Sequence, residues 1–328
     1  MTTPADEGAM RAAKDCLAGS VGGILQVLTG QPFDTVKVRL QTMPTPIAGQ
    51  PPLYTGTLDC IRATYRNEGF AGFYKGTTTP LVGVGLCVSI QFAALEYMKR
   101  HFHAQNAHQS GVAKAAAGEA PLTGTQLYIA GAVAGVANSV VSGPVEHVRT
   151  RLQVQTGGPA PSPAPAVAAT ASSARIYYSG PLDCVAQIYR QHGLRGLYKG
   201  QVATVLRELH GYGAYFLAYE YLVQRAMTQR QVARTEIPAA EVCLYGALAG
   251  YAMWGSVYPI DAIKSKLQTD QLSSSKRRYH STWDCARQTF KAEGVAGFYR
   301  GIVPCLLRAA PANAATFIGF ELAMRFLR

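Results

Sequence analysis

Pro32-Phe33-Asp34-Thr35-Val36-Lys37-Val38-Arg39-Leu40-Gln41 returns twice more in this chain. It recurs as Pro144-Val145-Glu146-His147-Val148-Arg149-Thr150-Arg151-Leu152-Gln153 and as Pro259-Ile260-Asp261-Ala262-Ile263-Lys264-Ser265-Lys266-Leu267-Gln268. The copies begin at 32, 144 and 259, spaced by 112 and 115 residues. A period this long points to three homologous thirds in one body rather than to a solenoid of short repeats. Each copy opens with a proline, which removes a backbone hydrogen bond and kinks a helix. The acid and the first base are three residues apart and so share a helix face. Around a threefold axis, the acid of one helix can meet the base of the next. The predicted pairs are Asp34–Arg149, Glu146–Lys264 and Asp261–Lys37, a ring closing one end of a six-helix barrel. Gln41, Gln153 and Gln268 lie one turn further on and can brace it. A single string of this kind is an ordinary surface ion pair of little energetic value. Three in register inside apolar segments point to a ring.

Outward from the string, each third reads in the same order. A long apolar segment leads into it; a polar loop, a short helix, a glycine and a second long apolar segment follow. Six long helices are expected near 15–41, 78–101, 123–153, 202–227, 238–268 and 303–326. Short helices are expected near 57–67, 181–191 and 282–292. The chain then divides into a polar tail (1–14), three repeats (15–102, 123–228 and 238–328) and two linkers (103–122 and 229–237). The Pro/Ala/Ser-rich stretch 157–174 reads as a mobile loop. Gly19 and Gly23 stand before Pro32 as Gly131 and Gly135 stand before Pro144, and as Gly246 and Gly250 stand before Pro259. Small residues four apart let helices approach closely. Cys60, Cys184 and Cys285 are symmetry mates in the short helices and read as small apolar packing residues.

Composition narrows the class. Hydrophobic residues make up 48% of the chain and charged residues 15%, low in charge for a soluble protein. Yet no clean run of 20 apolar residues marks an isolated membrane span. Helices facing lipid on one side and polar groups on the other reconcile the two; composition alone fits a soluble helical protein equally well. The net charge of +12 is scattered, which suits anionic lipid better than nucleic acid. Seven cysteines without a Cys-x-x-Cys pair argue against a disulfide framework or a zinc site. Residues 1–13 carry no apolar signal core. No cofactor or metal is expected.

These strings, with Glu68-Gly69-Phe70-Ala71-Gly72-Phe73-Tyr74-Lys75-Gly76 and its partners at 192–200 and 293–301, resemble the mitochondrial solute carrier family from about residue 16 to 328. The resemblance implies an all-α membrane protein: six transmembrane helices in three pseudo-threefold repeats, with short matrix-side helices. It places the Pro-x-acid ring at the matrix gate. It implies cardiolipin at Lys75-Gly76, Lys199-Gly200 and Arg300-Gly301, opposite Tyr54/Gly56, Tyr178/Gly180 and Tyr279. Ser281 replaces the third lead-in glycine and weakens that site. Free N–H groups at a helix start favour such an anion. The resemblance also implies an outer gate built from an acid and a base three apart. Glu96 with Lys99 fits. Glu220 is followed by Val223, and Glu321 by Met324, which leaves a weak outer lock that Arg100 and Arg325 could support. A monomeric state, the mitochondrial inner membrane and termini in the intermembrane space are what the same resemblance implies.

Seven residues past the glycine of each base-Gly pair stand Gly83, Arg207 and Arg308, followed by Val84, Glu208 and Ala309. Polar groups midway through a membrane are costly unless used. Arg207 or Arg308 can grip a carboxylate bidentately, and Glu208 can accept from an ammonium. The flanking text around Arg308 and Arg207 is similar to the carnitine/acylcarnitine, ornithine and related fungal amino-acid carriers. His210, Cys87, Gln91, Asn138 and Trp254 could tune selectivity, though each also suits packing. The expected cargo is a small zwitterionic amino-acid-type metabolite, ornithine or another amino acid, moved by exchange; a carnitine/acylcarnitine carrier is the alternative. No Ser/His/Asp order, metal-ligand cluster or nucleotide loop supports an enzyme.

Overall fold

The computed structural model describes residues 4–45, 51–109, 122–156, 177–232, 234–273 and 275–326. The loop expected at 157–174 and residues 110–121 of the first linker lie outside the described residues. The described residues form nine α-helices and three 3-10 turns and contain no strand. Six helices are long: α1 (Pro4–Thr42), α3 (Thr78–Gln109), α4 (Gly124–Val154), α6 (Gln201–Arg230), α7 (Ala239–Thr269) and α9 (Ile302–Phe326). Three are short, one per repeat: α2 (Thr57–Glu68), α5 (Pro181–Leu197) and α8 (Thr282–Glu293). The turns are Phe70–Tyr74, Arg234–Glu236 and Val295–Phe298.

Several helix ends differ from expectation. α1 begins at Pro4 rather than near 15, because the polar 1–14 stretch is rich in alanine and other good helix formers. α3 runs to Gln109, since no glycine or proline stands between its expected end near 101 and Gly111. α6 ends where Gln231 turns left-handed at φ 54. α5 runs past its expected end, but Gly193 breaks it at φ 61. Gly69 and Gly294 end α2 and α8 at φ 66 and 63. The three short helices therefore stop on one glycine-dependent turn.

Two segments, Gly124–Val154 and Val295–Phe326, are long and apolar enough to cross a membrane by length and composition alone. Phe70–Gly83 with Gly85–Asn106 makes a third if taken as one span. α1 is 39 residues long, roughly 58 Å at 1.5 Å per residue, against about 30 Å of hydrocarbon. Polar residues of the strings dilute its apolar character, as expected for helices with a polar inner face.

The chain divides into two compact units. The first holds Met1–Val82, Glu146–Leu197 and Val295–Arg328; the second holds Gly83–Val145 and Tyr198–Gly294. In the first, α1 packs along α9 and onto α2. The contact with α9 forms at Gly22, where an added Cβ would lie 2.7 Å from Thr316 O, and at Gly319, 2.8 Å from Leu25 Cδ1. Gly19 and Gly23, singled out by spacing, would meet nothing within 4 Å among the described residues. This corrects the expectation: one residue turns a helix face by about 100°, so the spacing found the small-residue stretch but not the contacting position. In the second unit α6 packs along α7. Gly131 and Gly135 do seat a neighbour there, 2.7 Å from Phe216 Cδ2 and 2.6 Å from Glu208 O. In the third repeat Gly246 is 3.6 Å from Tyr215 Oη and Gly250 meets nothing.

A prediction follows from that contrast. Gly135→Ala drives a methyl into backbone and should lower the unfolding midpoint by about 1–3 kcal/mol of stability, the usual cost of overpacking. Gly19→Ala should be neutral or stabilising. Equal midpoints for the two variants in a thermal melt would contradict the packing described.

Cys60, Cys184 and Cys285 are fully buried. Burial pushes their thiols up to about 11, about 12 and about 12, so they stay protonated and inert.

Candidate functional site

In the first unit the site centres on Asp34. Arg149 Nη2 donates to Asp34 Oδ2 at 2.7 Å, the acid–base pair expected between the first two strings. Arg308 of α9 reaches the same carboxylate more loosely, Nε to Oδ1 at 3.3 Å and Nη1 to Oδ2 at 3.4 Å. Gly30 makes room for it: a Cβ there would lie 3.2 Å from Arg308 Nη1. One carboxylate thus holds both a string base and the arginine singled out as a substrate anchor. Sequence reasoning treated those roles separately.

It also missed Gln31. Its Oε1 accepts from Arg149 Nη2 at 2.6 Å, and its Nε2 donates to Lys75 O at 2.9 Å. Gln31 is fully buried. An amide inside an apolar segment next to the string proline was the available signal. Gln41, Gln153 and Gln268 are likewise buried. Gln153 Nε2 donates to Thr35 Oγ1 at 3.3 Å, and Thr35 Oγ1 in turn donates to Phe73 O at 2.7 Å.

The second unit has a parallel arrangement. Arg207 bonds Glu208 and approaches Asp261, Nε to Oδ1 at 3.8 Å. Lys264 Nζ lies 3.4 Å from the same Asp261 oxygen. Glu208, Asp261 and Lys264 are all buried, where an ion needs partners of opposite sign. Arg207 and Glu208 are adjacent on α6, yet their side chains converge. Tyr212 Oη, one turn on, donates to Gln91 Oε1 at 2.8 Å. Gly83 abuts α4, with an added Cβ 2.9 Å from Val145 Cγ1. The side chain of Val84 lies outside the described residues. The expected pairs Glu146–Lys264 and Asp261–Lys37 each have one member in either unit.

A deeper tier of pairs was not anticipated. Arg39 meets Glu68 bidentately at 2.7 and 2.8 Å, and bonds Thr64 Oγ1 and Gln153 O, each at 3.0 Å. Lys266 Nζ meets Glu293 Oε1 at 3.0 Å and Thr289 Oγ1 at 3.4 Å. Burial pushes the Glu68 carboxyl up, but hydrogen bonds from Arg39 and Lys75 outweigh it and hold the group below the usual glutamate range. The second base of the first and third strings and the acids before Gly69 and Gly294 were the readable signal.

At the other helix ends the acids have local partners. Glu96 meets Lys99 at 3.2 Å and Glu321 meets Arg325 at 2.6 Å, with Glu96, Glu321 and Arg325 exposed and Lys99 partly so. Glu220 is buried and is met at 3.2 Å by Arg234, from the turn Arg234–Glu236. This amends the expectation of an unmatched acid. Val223, in the expected base position, is buried with Ala226 and Ile237, and that cluster carries the turn over Glu220. Arg234→Gln should lower the thermal midpoint modestly, by about 1 kcal/mol since the arginine is half exposed. The exchange Glu220→Arg with Arg234→Glu should recover part of the loss. No recovery in the double variant would show that the two charges do not act as a pair.

The lipid candidates are also placed. Gly76, Gly200 and Gly301 take φ of 76, 83 and 81, so each base-Gly turn needs its glycine. Lys75 bonds Glu68 at 2.6 Å and Gln155 O at 2.8 Å. Lys199 bonds Asp270 at 3.3 Å and also Gln271 O. Gly56 starts α2 with no side-chain cap, and Gly180 O takes the Cys184 N–H at the start of α5. Ser281 instead caps α8, its Oγ accepting from Asp284 N at 3.0 Å. That hydroxyl occupies a donor that the first lead-in leaves open. Arg300 stands at the matching base position of the third repeat.

Comparison with known proteins agrees with this threefold layout. The family model described as mitochondrial carrier protein matches residues 8–106, 121–230 and 235–328. The chain is 46% identical over 324 residues to the glutamate/glycine mitochondrial carrier ymc1 of Schizosaccharomyces pombe, covering 98% of this chain and 97% of that one. It is 45% identical over 318 residues to the mitochondrial glycine transporter YMC1 of Saccharomyces cerevisiae, covering 97% and 92%. It is 36% identical over 314 residues to the human mitochondrial carnitine/acylcarnitine carrier protein, covering 96% and 94%.

Proposed function

The chain belongs to the mitochondrial carrier family, whose members are transporters and not enzymes, and we propose that it exchanges small zwitterionic amino acids, with glycine and glutamate ahead of ornithine. It is a three-repeat, all-α membrane carrier. The observation that carries the reading is the double engagement of Asp34. Arg149 holds that carboxylate at 2.7 Å, and Arg308 shares it at 3.3 Å. A substrate carboxylate arriving at Arg308 competes with Asp34 for the same guanidinium. Arg308 is the looser partner and the more exposed arginine, so it is the one a solute can take over. In the second unit, Arg207 and Glu208 supply a base and an acid to a solute that carries both charges.

Alternating access follows if substrate binds one arrangement of these pairs more tightly than the other. The relatives favour an amino acid over carnitine: the fungal carriers named for glutamate and glycine share 46% and 45% identity, the carnitine carrier 36%. A quaternary ammonium has no N–H to give Glu208, whereas a primary ammonium does. The same reading takes the protein as a monomer in the mitochondrial inner membrane, termini toward the intermembrane space, with cardiolipin at the base-Gly turns.

A thermal-shift screen of the detergent-purified protein tests the cargo class. Glycine and glutamate should raise the midpoint, since a ligand bound by the folded state alone stabilises it. Carnitine should raise it less. A shift with carnitine and none with any amino acid would reverse the assignment.

A further inference from the structure

Tyr212 ties α6 to α3 at a place where α4 has no side chain. A Cβ added at Gly135 of α4 would lie 2.6 Å from Glu208 O and 3.0 Å from Tyr212 Cδ2. That glycine therefore seats the Glu208 backbone and the Tyr212 ring together. The hydroxyl of the same ring donates to Gln91 Oε1 on α3 at 2.8 Å, a contact between residues 121 apart in the chain.

The bond orients the Gln91 amide. A hydroxyl that donates to its carbonyl oxygen leaves the NH2 group on the other side, with two N–H donors. Among the described residues, that NH2 group has no hydrogen-bond partner, and Gln91 is half-buried rather than sealed. Gln91 lies in Gly85–Asn106, part of the third candidate span. An amide donor inside a membrane-crossing segment is costly unless something accepts from it.

Tyr212 stands four residues after Glu208 on α6, about 6 Å along the helix axis. Glu208 takes the solute ammonium in the reading given under Proposed function. A glycine held there has no side chain to extend toward Tyr212 and Gln91. A glutamate carries a second carboxylate on two methylenes, and a carboxylate is the acceptor that N–H donors bind most strongly. The amide is neutral, so it rewards the second carboxylate without leaving an unpaired charge when glycine is the solute.

We propose that Gln91, oriented by Tyr212, binds the side-chain carboxylate of a dicarboxylic amino acid, so that this bridge sets the preference between glutamate and glycine. Gln91 touches the solute. Tyr212 is a positioning residue that acts through it. The inference rests on the amino-acid reading above and names the part of that site which distinguishes its two leading solutes.

Kinetics of the full-length protein in glycine-loaded liposomes test it, with KM and maximal rate measured for labelled glutamate and for labelled glycine. Gln91→Leu should raise the KM for glutamate relative to that for glycine by about 10- to 100-fold, the effect of losing one hydrogen bond to a charged group. Tyr212→Phe keeps the ring on Gly135 and removes only the hydroxyl; it should move the same ratio in the same direction by about threefold or more. The maximal rate for glycine should stay that of the wild type in both. If Gln91→Leu does not fold, Tyr212→Phe carries the test alone. Equal changes for both solutes in either variant, or an unchanged ratio in Tyr212→Phe, overturns the proposal while leaving the amino-acid reading in place. A wild type that exchanges glycine but not glutamate overturns it as well. A wild type that exchanges neither overturns both.

Discussion

Arg308→Ala should abolish solute exchange while the protein remains folded. Losing one partner of a desolvated charge pair costs roughly 2–5 kcal/mol, a fall in transport of about 30-fold to beyond 1,000-fold. The fold should survive because Asp34 retains Arg149, which holds it at 2.7 Å in the unsubstituted protein. Arg308→Lys should restore little, since a single ammonium cannot reproduce the planar fork that engages a carboxylate. Liposome uptake and a thermal melt on one preparation check both halves. Full uptake by Arg308→Ala would remove Arg308 as the carboxylate anchor and leave Arg207 as the candidate.

Glu68→Ala should be the most destabilising of the substitutions considered. It leaves Arg39 buried, with side-chain exposure of 3%, and removes a bidentate bond and the Lys75 contact together. Breaking a buried pair in this way costs about 3–5 kcal/mol, enough to unfold a marginal membrane protein or prevent its purification. Glu68→Gln should cost less, since it keeps one acceptor oxygen.

The pair also predicts an acid limb. The Glu68 carboxyl lies below its ordinary value in the folded protein. The stability it confers is complete above the unfolded value of about 4.3. It is lost as pH falls through the lower folded value. Glu68→Gln should flatten the wild-type loss of stability on acidification below about pH 4. Parallel pH curves for the two proteins would mean that Glu68 does not carry the linkage.

The fold was legible because it repeats. Three prolines with an acid two residues on cannot be read as chance, and they fixed the six long helices to within a few residues at most ends. What escaped was local. Gly22 rather than Gly19 or Gly23 touches α9, because periodicity gives a face only to within one residue. Arg234 was invisible because it lies outside any repeat-wide motif, on a turn held by the apolar cluster around Ile237.

The site was legible as a list and not as a network. Arg308, Asp34 and Arg149 were each singled out, but nothing in their spacing says that Arg308 would share the carboxylate of Asp34. That depends on α9 lying close along α1, which the small residues Gly22, Gly30 and Gly319 allow. The Arg39–Glu68 tier was readable in principle, since Lys266 and Glu293 repeat the same pair of positions.

Counter-exchange is the most direct measurement. Purified protein in liposomes loaded with glycine or glutamate should take up labelled glycine, and empty liposomes should take up far less. Arg308→Ala should abolish the difference. Uptake that is equal with and without internal amino acid, or that requires internal carnitine instead, would contradict an amino-acid exchanger anchored at Arg308.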